Sequence, residues 1–532
     1  STQIMKKKLL YMGLAVLGLS VMGTSCTHDF EETNHDPNNM MLGDLQNPYA
    51  MFTPTFYGMT NSQWQYYSWF WNDELVQYTT FSGGSTREEN RYKIGEANFA
   101  SVWNGYANRC TNIMHMIELA KKYNNSSAEA VGLTLKVLLM ENLTAIYGDI
   151  PYKEAFRGRN EGITKPVFES QKEVYEDMLA DLEKANEIYA ANPKTDATLG
   201  AVDQMYAGNL KQWRKFNNSL MLRLLCRVSG RPEMKSGERI QAMINDQTKY
   251  PVISSNADNA TVQLTGIDPY FSYFHNKLKT DFTSSTYKAS EQMIKMTVYT
   301  DDQGIQSYTD PRLPIWFNEG NDGWKGAISG GTPDERNRSN IGAAQLNYEV
   351  FVRDDAPVYF MDYAEVLFIL AEMEQRGEIT LDQTPQELYE GAVKASLLKW
   401  APWGLFSATP CYITDEDVTK FLASDLANWD KAENKLQLIG EQKYLALFWT
   451  GMEAYHEVRR TGYPVLTIGN GTDFNDYKYP QRFAYPNTTV ANNRENVDAA
   501  LARMGGDNTM KTPVWWSYSA ITGNVLFPYK EH

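Results

Sequence analysis

The sequence predicts a mainly α-helical protein in which a helical scaffold supports a long irregular, loop-rich half. Three observations carry that expectation. Apolar residues recur every three or four positions through most readable segments. Two helix starts carry reciprocal capping boxes, Ser170–Glu173 and Thr384–Glu387. Between Pro251 and Pro357 the helical period largely lapses.

In chain order, Phe99, Val102, Trp103, Tyr106, Cys110, Ile113, Ile117 and Ala120 form one helical stripe. Val131, Leu135, Leu138, Leu139 and Ile146 form a second, ending near Gly148. Behind the Ser170 box, Tyr175, Met178, Leu182, Ala185 and Tyr189 define a buried face. Leu210, Trp213, Leu220 and Leu224 mark a fourth helix, closed by Gly230 and Pro232. Phe360, Ala364, Leu367, Phe368 and Ala371 lead to Gly377, and Pro385 occupies the first position of the next helix. Val418, Phe421 and Leu422 predict a short helix. Leu438 to Tyr455 predict a long one that carries Gly451 at a cost of roughly 1 kcal/mol, as a close contact or a break. The arrangement predicts stacked helical hairpins, although the signature of the 34-residue tetratricopeptide repeat is absent. A second irregular region is expected from Thr461 to the C-terminus.

Ahead of the helices stand Lys6-Lys7-Lys8, an apolar run from Leu9 to Met22, and Gly23-Thr24-Ser25-Cys26. This is the layout of a secretory signal, with Met5 as the expected start and residues 1–4 upstream or non-native. As a helix the run would measure about 21 Å, short of a ~30 Å hydrocarbon core. Cys26 after small residues resembles the lipobox of bacterial lipoproteins, whose thiol is acylated. The expected organisation is a signal over 1–25, a lipidated tether over 26–45, and one globular domain over 46–532 with irregular insertions around 251–357 and 461–532. Asp29, Glu31 and Glu32 resemble the acidic signal that sends some lipoproteins to the outer face of the outer membrane.

Apolar residues make up 42% of the 532, as expected of a globular chain. A net charge of −15 argues against nucleic acid as a partner. Cys110 and Cys226 fall within helical patterns and read as small buried residues, and with Cys411 they form neither a disulfide framework nor a zinc site. The six histidines show no metal-ligand spacing, and no cofactor fingerprint appears. No second apolar stretch approaches 18 residues. Aromatics reach 13%, with 13 Trp and 33 Tyr, which fits a carbohydrate binder as well as a large core.

One set of segments is more specific. Tyr147-Gly148-Asp149-Ile150-Pro151-Tyr152, Lys165-Pro166, Trp213 through Asn218-Ser219-Leu220 to Arg223 and Arg227, and Tyr363 to Glu372 run in order along the chain. Glu441-Gln442-Lys443, Glu453-Ala454-Tyr455, Arg459 to Pro464, Tyr479-Pro480 and Arg482 to Pro486 follow. Together they resemble the SusD/RagB family of nutrient-binding outer-membrane lipoproteins. Physically these motifs read as marks of the fold, with Arg459 and Arg460 complementing a helix C-terminus.

The resemblance implies four tetratricopeptide-like helix pairs supporting a ligand-binding half. It also implies a SusC-like TonB-dependent transporter as partner, over which the lipoprotein sits as a hinged lid, held to the membrane by its N-terminal lipid. Ligand contacts are then expected in the loops after the first helix, at Tyr78, Phe81, Arg87, Asn90 and Tyr92. Others are expected in the irregular middle, at Trp316, Asn321, Asp322 and Trp324. Aromatic faces beside Asn, Asp and Arg suit an oligosaccharide, and Gly-, Asn- and Ser-rich loops suit an oligopeptide equally. The dense run Trp64, Tyr66, Tyr67, Trp69, Phe70 and Trp71 reads chiefly as core. A binding protein is expected ahead of a surface glycoside hydrolase or a structural surface protein, because acidic pairs such as Asp301-Asp302 arise by composition alone.

Overall fold

The computed structural model describes residues 45–81, 87–282 and 287–531. Cys26, the signal and most of the tether lie outside the described residues, as do Ser82, Gly83 and Gly84. The main helices are α1 (Phe52–Met59), α2 (Glu96–Lys122), α3 (Ser126–Tyr147), α4 (Gln171–Ala191), α5 (Leu210–Arg227), α6 (Glu291–Thr297), α7 (Tyr363–Gln375), α8 (Pro385–Trp400), α9 (Lys435–Ala446) and α10 (Glu453–Thr461). Four consecutive pairs pack together: α2 on α3, α4 on α5, α7 on α8 and α9 on α10. Contacts of α3 with α4, α5 with α7 and α7 with α9 join the pairs into one scaffold.

Local chemistry sets the helix ends. Ser170 and Thr384 each accept from the backbone N–H three residues on, while Glu173 and Glu387 reach back, as both capping boxes predict. Gly148 ends α3 at φ +94°, and an added Cβ would lie 2.4 Å from the Met504 sulfur. Contrary to the expectation that no second apolar stretch approaches 18 residues, α3 is long and apolar enough to cross a membrane, but 94% of that window is buried, which makes it a core helix. Cys110 and Cys226 are fully buried core residues, as expected.

Two expectations need correction. The single long helix over Leu438–Tyr455 is two, because the chain turns at Trp449 (φ +66°) and Gly451 (φ +56°). There Gly451 approaches Trp64, whose indole would be 3.1 Å from an added Cβ, so the glycine is both a break and a close contact. The stretch after Thr461 is not wholly irregular, since it contains helices Asn487–Asn492 and Arg494–Met504.

The irregular half holds most of the strands: β1 (Thr79–Phe81), β2 (Ala260–Val262), β3 (Tyr287–Ala289), β4 (Val298–Thr300), β5 (Gln306–Thr309), β6 (Phe317–Asn318), β7 (Gln345–Leu346) and β8 (Val358–Met361). β1, β3, β7 and β6 form an antiparallel sheet in that order, with Phe81 opposite Tyr287 and Thr80 opposite Lys288. β2 pairs with β8, and β4 with β5. The end of β1 is tied back to the helix before it: the Phe81 N–H donates to Glu74 Oε2 at 3.1 Å. Tyr78 donates its hydroxyl to the Tyr444 carbonyl on α9, fixing the sheet to the scaffold.

Where the helix pairs meet, charged side chains are buried. Arg223 on α5 makes a bidentate pair with Glu365 on α7, both bonds 2.7 Å, and a 3.1 Å bond to Glu141 on α3. Arg227, one turn on, pairs with Glu453 and lies 3.3 Å from Glu457, both on α10. Glu457 also takes Lys443 of α9 at 2.7 Å and Arg460 at 2.7 Å, and Arg460 forks onto Glu372 of α7. Arg459 beside them donates to the carbonyls of Ala145 and Gln481, both below 3 Å. The resemblance motifs thus meet in one network, and Arg459 and Arg460 do far more than complement a helix end. Desolvation, reinforced by Arg227 and Arg459, holds buried His456 well below its usual range and therefore neutral.

Two stability predictions follow from these contacts. Glu365→Ala leaves Arg223 buried without its bidentate partner and costs about 3–5 kcal/mol in denaturant unfolding. Removing the exposed pair partner Glu176, 2.7 Å from Lys172, leaves stability essentially unchanged in the same assay. Desolvation pushes the buried Glu74 carboxyl up to about 7, against the lowering pull of Arg87. A raised carboxyl binds more protons folded than unfolded, so its contribution is complete below its ordinary value of 4.5 and fades as pH rises to 7. Relative to Glu74→Gln, the wild type therefore loses roughly 3 kcal/mol of stability between pH 4.5 and 7.5, read by denaturation at both ends.

Candidate ligand-binding site

The predicted contact residues fall on the two edges of the β1-β3-β7-β6 sheet. Tyr78, Phe81, Arg87, Asn90 and Tyr92 belong to the β1 edge, and Asn321, Asp322 and Trp324 follow β6 at the other. At ordinary strand spacing those edges are about 14 Å apart.

Burial reassigns several of them. Trp316 has no exposed surface, and its ring lies against Trp400 and Phe448 at 5.5 and 4.7 Å, so it is a core residue without a face for a ligand. Tyr78 is likewise fully buried against Tyr444 and Phe448. Tyr92 packs on Tyr479, and Phe81 on Tyr287. Asn90 is a structural clamp: its Nδ2 donates to Thr80 Oγ1 at 2.8 Å and to the Phe81 carbonyl at 3.0 Å. The hydrophobic effect takes these rings because the sheet buries its flanks against the helices. Asn321 and Asp322 are exposed, Asp322 with Lys325 Nζ at 3.1 Å, and Trp324 is half-buried.

Arg87 leads to a site that the candidate set did not contain. Its guanidinium stacks 3.9 Å over the Phe70 ring and 4.8 Å over Phe81, with Glu89 3.5 Å away. Phe70 lies 5.0 Å from Tyr66, and Tyr66 lies 5.1 Å from Tyr273. Lys277 covers the far ring, its ammonium 5.1 Å from the Tyr273 centroid. Tyr66, Phe70 and Tyr273 are each partly exposed and packed against the core, forming a row of three aromatic rings with a cation over each end ring. Neither the Tyr66 nor the Tyr273 hydroxyl bonds to another group among the described residues.

The local backbone explains the row. After Met59 the first helix continues in wider i→i+5 turns over Thr60–Tyr66 and Ser68–Asn72, a geometry common at functional sites. Trp64, Tyr67, Trp69 and Trp71 turn into the core, as the sequence predicts for the run, while Tyr66 and Phe70, four apart, face outward together. Tyr273 is placed opposite by its N–H, which donates to Gln65 Oε1 at 2.7 Å. The signal that could have found the pair is that four-residue spacing between rings whose neighbours all alternate inward. Desolvation, the largest cause, and the neighbouring Tyr273 push the Tyr66 phenol up to about 12, so it stays a neutral donor across the physiological range.

The arrangement offers flat apolar faces edged by phenol hydroxyls and a guanidinium, which is what binding a sugar ring by its C–H face and its hydroxyls requires. Among the described residues no group of three or more His, Cys, Asp or Glu could hold a metal ion.

No curated protein matches the chain. Among solved structures, a chitin-binding protein is 24% identical, with a TM-score of 0.73 over 89% of this chain and 100% of its own. A SusD homolog from Parabacteroides distasonis is 21% identical, with a TM-score of 0.73 over 88% of this chain and 98% of its own. A chitin-binding SusD homolog from Flavobacterium johnsoniae is 22% identical, with a TM-score of 0.67 over 88% of this chain and 98% of its own. At these identities the likeness establishes the fold. Residues 37–486 match the SusD-like family described as starch-binding and associating with the outer membrane, and the chain therefore belongs to the SusD-like family.

Proposed function

We propose that this protein captures an extracellular oligosaccharide at the outer-membrane surface and passes it to a SusC-like TonB-dependent transporter as a hinged lid. The observation that carries the reading is the partly exposed row of Tyr66, Phe70 and Tyr273 between Arg87 and Lys277. Successive sugar rings stack on such a row, while the two phenols and Arg87 bond their hydroxyls. The starch-binding description of the family and the chitin-binding names of two similar structures support a glycan over an oligopeptide.

On this reading the protein holds its ligand without chemistry: catalysis by a glycosidase needs two carboxylates flanking the bound sugar, and Glu89 at the row's end is paired with Arg87. Cys26 is the proposed lipid site, and the Asp-, Asn- and Pro-rich segment to about Asn39 is the tether that lets the lid swing. Acyl chains at ~0.8 kcal/mol per buried CH₂ make such an anchor effectively permanent.

Calorimetry with maltohexaose and chitohexaose tests the capture role. Tyr66→Ala and Tyr273→Ala should each weaken binding about tenfold, near 1.4 kcal/mol, measured at a temperature where each variant remains folded. Binding of a peptide panel and of neither glycan would replace the oligosaccharide reading, and release of shorter sugars would replace the non-enzymatic one. Cys26→Ala should move the protein from the membrane fraction to the soluble fraction, and unchanged fractionation would remove the lipid anchor.

A further inference from the structure

Side chains alternate across β1, so Thr80 points away from the aromatic row, and its hydroxyl donates to the Ile328 carbonyl at 3.3 Å. On that face lie two adjoining cavities of about 390 and 470 Å³, which share Glu291 and Lys295 on α6. Their glycine walls are closely fitted: an added Cβ on Gly326 would lie 2.5 Å from the Glu291 backbone, and one on Gly469 2.3 Å from the Gly330 carbonyl.

The polar groups of the first cavity divide into two kinds. Some hold the walls: Gln77 donates to the Thr467 carbonyl at 2.7 Å, and Asn470 bridges Glu335 Oε1 at 2.7 Å and the Tyr529 hydroxyl at 3.1 Å. Others are unused. Gln292 is only 7% exposed, lines the cavity, and its amide makes no hydrogen bond among the described residues. Ser329 Oγ lines the same cavity, is buried, and has no partner among the described residues. Lys295 is exposed into both cavities and makes no hydrogen bond or ion pair among the described residues. Buried polar groups are ordinarily satisfied, so the unpartnered Ser329 hydroxyl, beside a Gln292 amide that opens unpaired to the same cavity, marks donors and acceptors kept for a ligand.

We propose that this cleft is a second glycan site, separate from the aromatic row, which binds a neutral, hydroxyl-rich sugar unit through Gln292, Ser329 and Lys295. The proposal rests on the oligosaccharide reading above. An amide with one acceptor and two donors, a hydroxyl and an ammonium match adjacent sugar hydroxyls. The linings carry both signs, Glu291 and Glu335 against Lys295 and Lys325, so the cleft favours a neutral group over an anion. Ile328 and Tyr299 supply the apolar patches a sugar ring also uses.

The test uses calorimetry with maltohexaose and chitohexaose on the full chain, its Tyr66→Ala/Tyr273→Ala variant, and that variant carrying Gln292→Ala/Ser329→Ala as well. Residual binding is expected in the first variant, and the added pair should weaken it at least tenfold. The pair alone should leave the thermal midpoint unchanged, because neither side chain holds a hydrogen bond among the described residues. Complete loss of binding in the row variant, or residual binding indifferent to Gln292 and Ser329, would overturn the second site and leave the row intact. A lowered midpoint for the pair would assign both groups to the fold and overturn it too. Failure of the wild type to bind either glycan would overturn both readings together.

Discussion

The bidentate pair of Arg223 with Glu365 is the contact on which the rest of the architecture depends. It joins α5 to α7, two helices from different pairs, and through Glu141, Glu453 and Glu457 it extends to α3, α9 and α10. A buried ion network of this kind contributes less through net stability than through what it forbids. Sliding one helix past another by a turn would strand several charges in the core, and each stranded charge costs more than a lost apolar contact. The network therefore fixes the register of the helix pairs, while the apolar stripes supply the burial that holds them together.

The ligand-binding half borrows its rigidity from that register. Tyr78 and Tyr444 link β1 to α9, Tyr479 donates to the Leu75 carbonyl at 2.9 Å, and Gly451 sits against Trp64. These contacts anchor the wide-turn helix that presents Tyr66 and Phe70. Glu74 holds the end of β1 just before the chain reaches Arg87. The aromatic row is thus a short exposed seam on an otherwise buried element. Because its backbone is fixed from behind, little ordering would remain to oppose ligand binding.

The helical scaffold was legible in the sequence because stripes, caps and terminating glycines are local signals. Phe99 through Ala120, Ser170–Glu173 and Thr384–Glu387 all appear where their spacing places them. The break at Trp449 and Gly451 was half-visible, since a glycine in a helical pattern does not reveal the positive φ of a tryptophan two residues before it. The site was less legible, for a physical reason. Exposure depends on long-range packing, and nothing in the residues around Trp316 tells that Trp400 and Phe448 cover it. Arg87 is a candidate from sequence that stacks on Phe70 at one end of the proposed row, but Tyr66 and Phe70 are hidden inside a run whose other rings are core. Tyr273 comes from about 200 positions away and is placed only by tertiary structure.

The central claim is that sugar rings stack on Tyr66, Phe70 and Tyr273, and a crystal structure of the protein with chitohexaose or maltohexaose tests it most directly. The account predicts continuous glycan density across the row, with ring faces parallel to Tyr66 and Tyr273 and a hydroxyl within hydrogen-bond distance of Arg87. Density elsewhere on the surface with the row left bare would contradict it.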